Sequence, residues 1–435
     1  MKHYKLALMT AVALTFCFVA CSQSDADNGT SGKEDKITIE SLIAAENDYQ
    51  YLSTMATGLP DLRSSQISGL KAFSINSIKE FSKLSEADWV ASPVSLLYAL
   101  GMVAEGADAT SASEILEALS LEDLSVNDIH KMLLKLTSVL SEEHQNVALG
   151  LANAAIVRED IKMQEQFREN LKAYYDANAV GLDFTDSKLV LDYINGWANR
   201  KTDGMIDKVL NSVSPATLLY LINALYFKAD WANQFVADFT VTESFYNSNG
   251  VSVAQVDMMN QRAEFNYAET SMFQAVSLPL ADGGFDFTII LPKNGYNTSD
   301  ILSEVDDEAW SSLVDGMETA DVNLALPKFD TDNTLDCEDL LKTLGIRSIF
   351  SSGALTRIAA EPCSLDFCKQ IARLKINEKG LEAAAVTIMG IAGNSGAEEP
   401  EPVEFRANHP FLYVLHEKTT GAILFAGKFS GGKAE

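Results

Sequence analysis

The residues that most often carry enzyme chemistry do not form a recognisable catalytic motif in this chain. Beyond the N-terminal segment, the histidines and cysteines are His130, His144, His409, His416, Cys337, Cys363 and Cys368. They form no His-Glu-x-x-His or Cys-x-x-Cys pair, and there is no Gly-x-Ser-x-Gly elbow or glycine-rich phosphate loop. We therefore assign no catalytic residue and expect no metal or cofactor. His130 and His144 have polar helical neighbours and are predicted to be exposed. A serine or cysteine hydrolase whose triad forms only in space stays an alternative.

The segment from Gly380 to Asn394 has an unusual composition. It is apolar or small almost throughout, and Glu382 is its only charge. It has no proline, so every backbone N–H could join a sheet ladder. As a strand, it would place alternate residues on one face: Leu381, Ala383, Ala385 and Thr387. Residues 394–402 are typical of a flexible loop. Taken alone, the segment is also consistent with a helix, or with a core strand followed by a surface loop.

Ile376-Asn377-Glu378-Lys379-Gly380, followed by Glu382-Ala383-Ala384-Ala385, closely resembles the hinge of the serpin family of protease inhibitors. Further blocks of that family occur in the family's order over residues 65 to 432. The matching blocks are Ile376-Asn377-Glu378-Lys379-Gly380, Glu382-Ala383-Ala384-Ala385, Ala91-Ser92-Pro93-Val94-Ser95, Ile194-Asn195-Gly196-Trp197, Thr202-Asp203-Gly204-Met205-Ile206, Asn223-Ala224-Leu225-Tyr226-Phe227-Lys228-Ala229-Asp230-Trp231, Leu326-Pro327-Lys328-Phe329, Leu344-Gly345-Ile346 and Phe405 to Leu415.

The resemblance implies an α+β fold of three β-sheets and about nine helices with an exposed reactive-centre loop. It implies a suicide-substrate inhibitor: a protease cuts the loop, forms an acyl-enzyme, and is trapped when the cut loop inserts into the central sheet. The implied hinge residues are Glu378, Gly380, Leu381, Glu382, Ala383, Ala384, Ala385, Val386 and Thr387. The implied shutter and breach residues, which control opening of that sheet, are Ser92, Ser95, Asn223, Trp231 and Gln370.

Two residues depart from the family pattern. Leu381 stands where most inhibitory members have Thr or Ser, and this bulky residue is expected to slow insertion. Gln370 stands where the family usually has a shutter histidine. Its amide both donates and accepts hydrogen bonds, so we expect it to link Asn223 and Ser92 without titrating. Leu381 favours the alternative of a non-inhibitory serpin that acts as a binding or structural protein.

The family spacing from the hinge glutamate places the reactive bond at Asn394-Ser395, whereas counting back from Pro410 moves it toward Glu399. We prefer the forward count, because insertion length fixes where the protease is held. No Lys or Arg occurs between Gly380 and Phe405. A trypsin-like pocket would find no charge partner on this loop. The expected targets are therefore elastase-like, subtilisin-like or papain-like proteases.

The N-terminus is predicted to be a targeting segment. Lys2 and Lys5 precede a mostly apolar run from Leu6 to Ala20, as in a secretory signal. The small residues before Cys21 resemble a bacterial lipobox, in which that cysteine is acylated. We predict a signal peptide over 1–20, a lipidated polar tether and N-terminal extension over 21–64, and a lipid-anchored protein of the cell envelope or surface. The alternative is an ordinary signal peptide with an incidental cysteine.

The composition predicts one large globular domain. The chain has 435 residues, 47% of them hydrophobic and 22% charged. Its 33 basic and 61 acidic residues give a net charge of −28. Such a chain repels phosphate backbones, so nucleic acid is not expected as a partner. The three cysteines after Cys21 are too few for a disulfide framework or a zinc site. Residues 65–432 show no linker or internal repeat and are predicted to form a monomeric serpin domain.

Local patterns predict several elements. Pro93 begins a helix that Gly106 ends, and Ser111 and Glu114 have the spacing of a capping box for the next helix. Residues 285–291 and 322–326 are predicted strands that stop at prolines. Residues 411–415 and 423–426 are predicted to form a hairpin around Thr419-Thr420-Gly421.

Overall fold

The computed structural model describes residues 13–23, 56, 58–142, 145–177, 179–204, 206–281, 283–380 and 401–432, with 13–23 described by its backbone. These residues form nine α-helices, two short 3-10 turns and fifteen strands. The helices are α1 (Ser64–Lys83), α2 (Pro93–Gly106), α3 (Ala109–Ala118), α4 (Val126–Leu140), α5 (Glu165–Tyr175), α6 (Ser187–Lys201), α7 (Thr298–Glu304), α8 (Asp307–Asp315) and α9 (Glu338–Thr343). The strands are β1 (Ala13–Gln23), β2 (Trp89–Ala91), β3 (Val147–Arg158), β4 (Ala179–Leu182), β5 (Thr217–Ala229), β6 (Val241–Tyr246), β7 (Ser252–Glu269), β8 (Phe273–Leu280), β9 (Phe285–Pro292), β10 (Glu318–Pro327), β11 (Phe329–Asp336), β12 (Cys363–Ile376), β13 (Val403–Arg406), β14 (Phe411–Glu417) and β15 (Ile423–Phe429).

One sheet has six strands in the order β11-β12-β1-β5-β3-β4. Strand β1 is antiparallel to both of its neighbours, β12 and β5. Only the outer pair β3 and β4 is parallel within this sheet. The N-terminal segment therefore supplies a central strand of the sheet.

The other strands follow one path, β13-β10-β7-β8-β9-β14-β15-β2, with β6 added to β7. Strand β7 is 18 residues long. Its first part pairs with β6 and its last part with β8. The long strand therefore belongs to two groups of strands, and together with the six-stranded sheet these make the expected α+β fold of three sheets.

Helix α2 forms as its sequence predicts, but it is buried on every side. The Ser92 side chain accepts a hydrogen bond from Ser95 N at 3.1 Å and caps the helix, and Pro93 occupies the first turn. All fourteen residues are buried. Two glycines make this possible: a Cβ on Gly101 would lie 2.5 Å from the Tyr175 hydroxyl, and one on Gly106 would lie 2.4 Å from Ile358. The helix thus packs too closely for larger residues at these positions.

The predicted capping box of the next helix is wrong. Helix α3 begins at Ala109, and Asp108 caps it by accepting from Ser111 N at 2.7 Å. Glu114 instead accepts from the backbone of Arg347 and Ser348 at 2.8 and 2.7 Å. Burial alone would raise the pKa of Glu114, but these hydrogen bonds lower it. The local spacing could not show that a distant turn would bind this carboxylate.

The predicted C-terminal hairpin is confirmed by the pairing of β14 with β15. Buried Glu417 holds its turn, because its carboxylate accepts from Thr419 N at 2.5 Å and from Thr420 N at 2.8 Å. The predicted strands at 285–291 and 322–326 lie within β9 and β10. The sheets and helices α1 and α2 contribute to one continuous hydrophobic core. Among the described residues, no helix has the length and apolar character needed to cross a membrane.

Candidate functional site

The described chain after β12 is fixed to the start of the loop that follows β5. The indole Nε1 of Trp231 donates to Asn377 O at 2.8 Å, and Trp231 N donates to Lys379 O at 3.2 Å. Phe235 N donates to Glu378 O at 2.9 Å. Trp231 is buried and packs edge-on against Phe235. The predicted breach tryptophan therefore holds the root of the predicted hinge.

Gly380 ends this anchor, and its position requires glycine. Its φ is +67°, where side chains are disfavoured. A Cβ there would lie 2.2 Å from Trp231 N and 2.7 Å from the carbonyl carbon of Asp230. The backbone at residue 380 can approach the residues directly after β5 this closely only because Gly380 has no side chain.

Glu378 fixes the same root through its side chain. Its carboxylate accepts from Thr240 Oγ1 at 2.9 Å and lies 3.2 Å from Lys328 Nζ. Burial alone would raise the pKa of Glu378, but these hydrogen bonds and the charge of Lys328 outweigh it and lower that pKa. The carboxylate is therefore held in its charged form. It lies between Lys328, at the junction of β10 and β11, and Thr240, in the segment after β5.

The central feature of the six-stranded sheet is the position between β12 and β5, which we call the slot. In this structure β1 fills the slot, and Cys17 pairs with Gln370 on one side and with Asn223 on the other. The two flanking strands are therefore two strand spacings apart, about 9–10 Å. The slot offers a backbone ladder to a strand on both of its edges.

The direction of β1 is the direction that a returning hinge would take. Ala13, at the start of β1, pairs with Leu374 near the end of β12, and Gln23 pairs with Cys363 at its start. A chain that turns back at Gly380 and runs antiparallel to β12 would enter the slot at the same end and point the same way. The predicted hinge residues 381–387 and the predicted reactive bond Asn394-Ser395 lie outside the described residues.

The predicted shutter residues lie on both sides of the slot. Gln370 accepts from Ser92 N at 2.7 Å and donates to Ser92 O at 2.9 Å. Its amide thus reaches Ser92, as expected. Asn223 lies across β1 and donates instead to Asn153 Oδ1 at 2.9 Å. The expected link from Gln370 to Asn223 is therefore wrong for this arrangement, since a whole strand separates them.

The prediction that His130 is exposed is wrong, because its side chain is buried. Its ring lies between Glu105 Oε2 and the Tyr175 hydroxyl, each at 2.8 Å. Polar neighbours in the sequence misled the prediction. The apolar spacing of Ile129, Leu133 and Leu136 was the available signal, since it turns His130 toward the core. His144 lies outside the described residues.

Among the described residues, Ser277, Asp286 and His416 are residue types that a serine hydrolase could use, but they do not have the geometry of a catalytic triad. Ser277 is hydrogen-bonded to Asp286 at 3.3 Å and to Thr288 at 3.0 Å. His416 reaches Thr288, at 3.3 Å, rather than the serine. All four side chains are buried, and burial lowers the pKa of His416. This cluster is a buried cross-strand network of hydrogen bonds. Within the described ranges no His, Cys, Asp and Glu side chains are grouped to hold a metal ion.

Comparison with known proteins agrees with this architecture. The family model described as serpin (serine protease inhibitor) matches residues 68–431. This chain belongs to the serpin family. It is 30% identical to Iripin-2 of Ixodes ricinus over 344 residues, which is 78% of this chain and 86% of that serpin.

Solved serpin structures have the same fold. Serpin48 of Tenebrio molitor, a highly specific serpin, matches with a TM-score of 0.74 and 27% identity, over 86% of this chain and 100% of that one. Thyroxine-binding globulin in complex with thyroxine matches with a TM-score of 0.72 and 25% identity, over 83% of this chain and 98% of that one. The family therefore supports a protease-inhibitor type of function in general, and it also includes a member that binds a small ligand.

Proposed function

We propose that this serpin is a suicide-substrate inhibitor of serine endopeptidases, with papain-like cysteine endopeptidases as a second target class. A protease cuts the loop between Asn394 and Ser395, and the freed hinge then enters the slot between β12 and β5. The slot supports this proposal, because it holds a strand in the direction of a chain returning from Gly380.

The trapped species is an ordinary acyl-enzyme. The protease hydroxyl or thiol attacks the carbonyl carbon of Asn394, and its proton passes through the protease base to the nitrogen of Ser395. The Asn394–Ser395 peptide bond breaks, and an ester or thioester joins Asn394 to the protease. Insertion then draws Asn394 and the attached protease away before water can hydrolyse that bond.

Insertion is favourable because the hinge backbone gives up hydrogen bonds to water and gains hydrogen bonds to a strand on each side. A strand in the slot makes backbone hydrogen bonds on both edges, as β1 does along β12 and β5. Ala383, Ala385 and Thr387 are small and uncharged, so burying them costs little. Because the hinge root is already held beside the slot, insertion is an intramolecular step with a short path.

The residues of the loop favour shallow or hydrophobic protease pockets. Met389, Ile391, Ala392 and Asn394 precede the proposed bond, and the loop has no basic residue to pair with the buried carboxylate of a trypsin-like pocket. Elastase-like or subtilisin-like proteases are therefore the proposed serine targets. Measured side by side, an elastase should be trapped faster than trypsin. Faster trapping of trypsin, or a cut mapped outside 389–395, would contradict this assignment.

The proposed processing at Cys21 would make the slot available. Removal of residues 1–20 takes away most of β1 and leaves Cys21 to Gln23 of that strand. The new N-terminal cysteine would carry the acyl chains, and the polar residues after it would act as a tether. We propose that the mature serpin is held in this way at the cell envelope or surface.

The decisive experiment is to incubate the chain beginning at Ser22 with each protease and look for a complex that survives SDS. Ala385→Glu should turn the inhibitor into a substrate, because the slot would bury an unpaired charge. Ala384→Glu is the matched control, since in an inserted strand its side chain would lie on the same face as that of Glu382. An unchanged stoichiometry for Ala385→Glu would show that the assumed facing is wrong.

The second candidate function is a non-inhibitory serpin that binds a ligand or partner. Leu381 at the first position to insert favours it, as does the similarity to thyroxine-binding globulin. Such a protein would be cut by the same proteases without a stable complex. Leu381→Thr separates the two: trapping that appears only in this variant would favour the non-inhibitory function.

A further inference from the structure

Helix α2 is joined to both sides of the slot by polar side chains. Its buried length packs against β1 and β5. At its start, the backbone of Ser92 is hydrogen-bonded to the side-chain amide of Gln370 in β12. At its other end, Glu105 begins a second polar connection that leads to Asn223 of β5.

This second connection is a chain of four buried hydrogen bonds. Glu105 Oε2 lies 2.8 Å from His130 Nε2, and His130 Nδ1 lies 2.8 Å from the Tyr175 hydroxyl. Asn153 Nδ2 donates to the carbonyl oxygen of Tyr175 at 2.9 Å. Asn223 Nδ2 donates to Asn153 Oδ1 at 2.9 Å. We call these five residues the Glu105–Asn223 chain; it joins α2, α4, α5, β3 and β5.

The surroundings of His130 make this chain well defined. The imidazole is 1% exposed and stacks on Tyr174, with ring centroids 5.1 Å apart. The other oxygen of Glu105 accepts from Asn170 Nδ2 at 2.7 Å. The carboxylate therefore has a partner on each oxygen, and both nitrogens of the buried ring are used. Such a buried network is costly to break at one point.

All the hydrogen bonds of the Glu105–Asn223 chain are present in this structure, in which β1 fills the slot. If the slot were empty, β5 could pair with β12 only by moving one strand spacing, about 4.8 Å. The Asn153–Asn223 pair makes β3 move with β5, whereas Ser92 and Gln370 hold α2 on the β12 side. A shift of that size is larger than the length of a hydrogen bond, so it would break the Glu105–Asn223 chain. We therefore infer that His130 is a positioning residue for loop insertion, which stabilises β5 and β3 where the slot is open.

This inference rests on the proposed inhibitory function and adds to it a residue outside the predicted shutter. Tyr175→Phe is the smallest test, because it removes one hydroxyl and breaks the chain beside His130. Losing one buried hydrogen bond should slow insertion about two- to tenfold. Slower insertion lets more acyl-enzyme hydrolyse, so more serpin is consumed per protease trapped. The association rate should stay unchanged, since the bait loop is intact.

Tyr98→Phe is the matched control. The Tyr98 hydroxyl is equally buried and also joins α2 to α4, at 2.9 Å from Leu133 O and 2.6 Å from Thr137 Oγ1. It does not lead to β3 or β5. We expect Tyr98→Phe to lower the melting temperature without changing the stoichiometry. His130→Phe should resemble Tyr175→Phe, and His130→Gln should recover function, because an amide can donate to Glu105 and accept from Tyr175.

A second measurement keeps the test independent of the protease. A synthetic peptide of residues 381–394 is added to the chain beginning at Ser22, and its rate of insertion into the slot is followed. Tyr175→Phe should slow peptide insertion, and Tyr98→Phe should not. Equal insertion rates and equal stoichiometries for these two variants would overturn the role of His130. Failure of the unchanged protein to trap any protease would instead refute the proposed function, while the peptide rates would still decide the role of His130.

Discussion

Replacing Gly380 with Ala is the sharpest test of the hinge anchor. The new Cβ meets two penalties: a positive φ of +67°, and a backbone nitrogen of Trp231 only 2.2 Å away. The left-handed conformation costs about 1–2 kcal/mol for a residue with a Cβ. Forcing the backbone apart costs about 1–3 kcal/mol more. The sum is about 2–5 kcal/mol, which corresponds to a melting temperature lower by about 3–7 °C for a domain of this size.

Gly295→Ala separates the two penalties. Gly295 has a φ of +94°, and a Cβ there would have no atom within 4 Å. It should therefore show the conformational penalty alone, a loss of about 1–3 °C. Thermal unfolding of both variants measures the difference. Equal losses would refute the close approach of Gly380 to Trp231, and no loss at either position would refute the backbone argument as well.

Four further predictions concern cleavage of the reactive loop, the charge of Glu378, the N-terminal strand β1 and the lipid anchor at Cys21. In the chain beginning at Ser22, cutting the reactive loop should raise the melting temperature markedly, because the hinge then fills the slot; equal melting of cut and intact protein would argue against stored strain. Since the pKa of Glu378 is lowered in the folded state, its stabilisation is present above the ordinary value of 4.5 and is lost as pH falls through the folded value. The stability difference between the unchanged protein and Glu378→Gln should therefore shrink between pH 6 and pH 3, and a constant difference would show that Lys328 and Thr240 do not stabilise the charge. The full-length chain should trap fewer proteases per molecule than the chain beginning at Ser22, because β1 occupies the slot; equal trapping would show that β1 does not compete. Cys21→Ala should release the protein from membranes, as measured by fractionation, and retention would contradict the lipid anchor.

The elements that the sequence predicted well are those whose signals are local. The ends of α2 follow from Ser92, Pro93 and Gly106, and the C-terminal hairpin follows from its turn residues. The residues held by Trp231 belong to a run that matches the family, and the need for Gly380 has a local cause in its backbone angle. These signals act within a few residues, so they can be read without knowing the fold.

The contacts that the sequence did not predict all join distant parts of the chain. Glu114 has the right spacing for a cap, yet it binds a turn more than 230 residues away. Asn153 carried no signal, because its partner Asn223 is set by the register of two strands. The partners of Gln370 depend on whether a strand lies between β12 and β5. Residue types limit what such groups can bind, but only the strand register decides which partner they reach.

A strand in the slot makes backbone hydrogen bonds along both of its edges, and these do not depend on side-chain identity. The same position holds the apolar N-terminal segment in this structure and, in the proposed mechanism, accepts the proline-free hinge. Two physical differences distinguish these occupants. The N-terminal segment precedes all the other described strands in the chain, so it is already synthesised when β5 and β12 form. The hinge begins at Gly380, already fixed beside the slot, so its effective concentration there is high. Removal of the N-terminal segment before folding would leave the slot to the hinge once the loop is cut, so the timing of that removal would determine whether the chain can store strain.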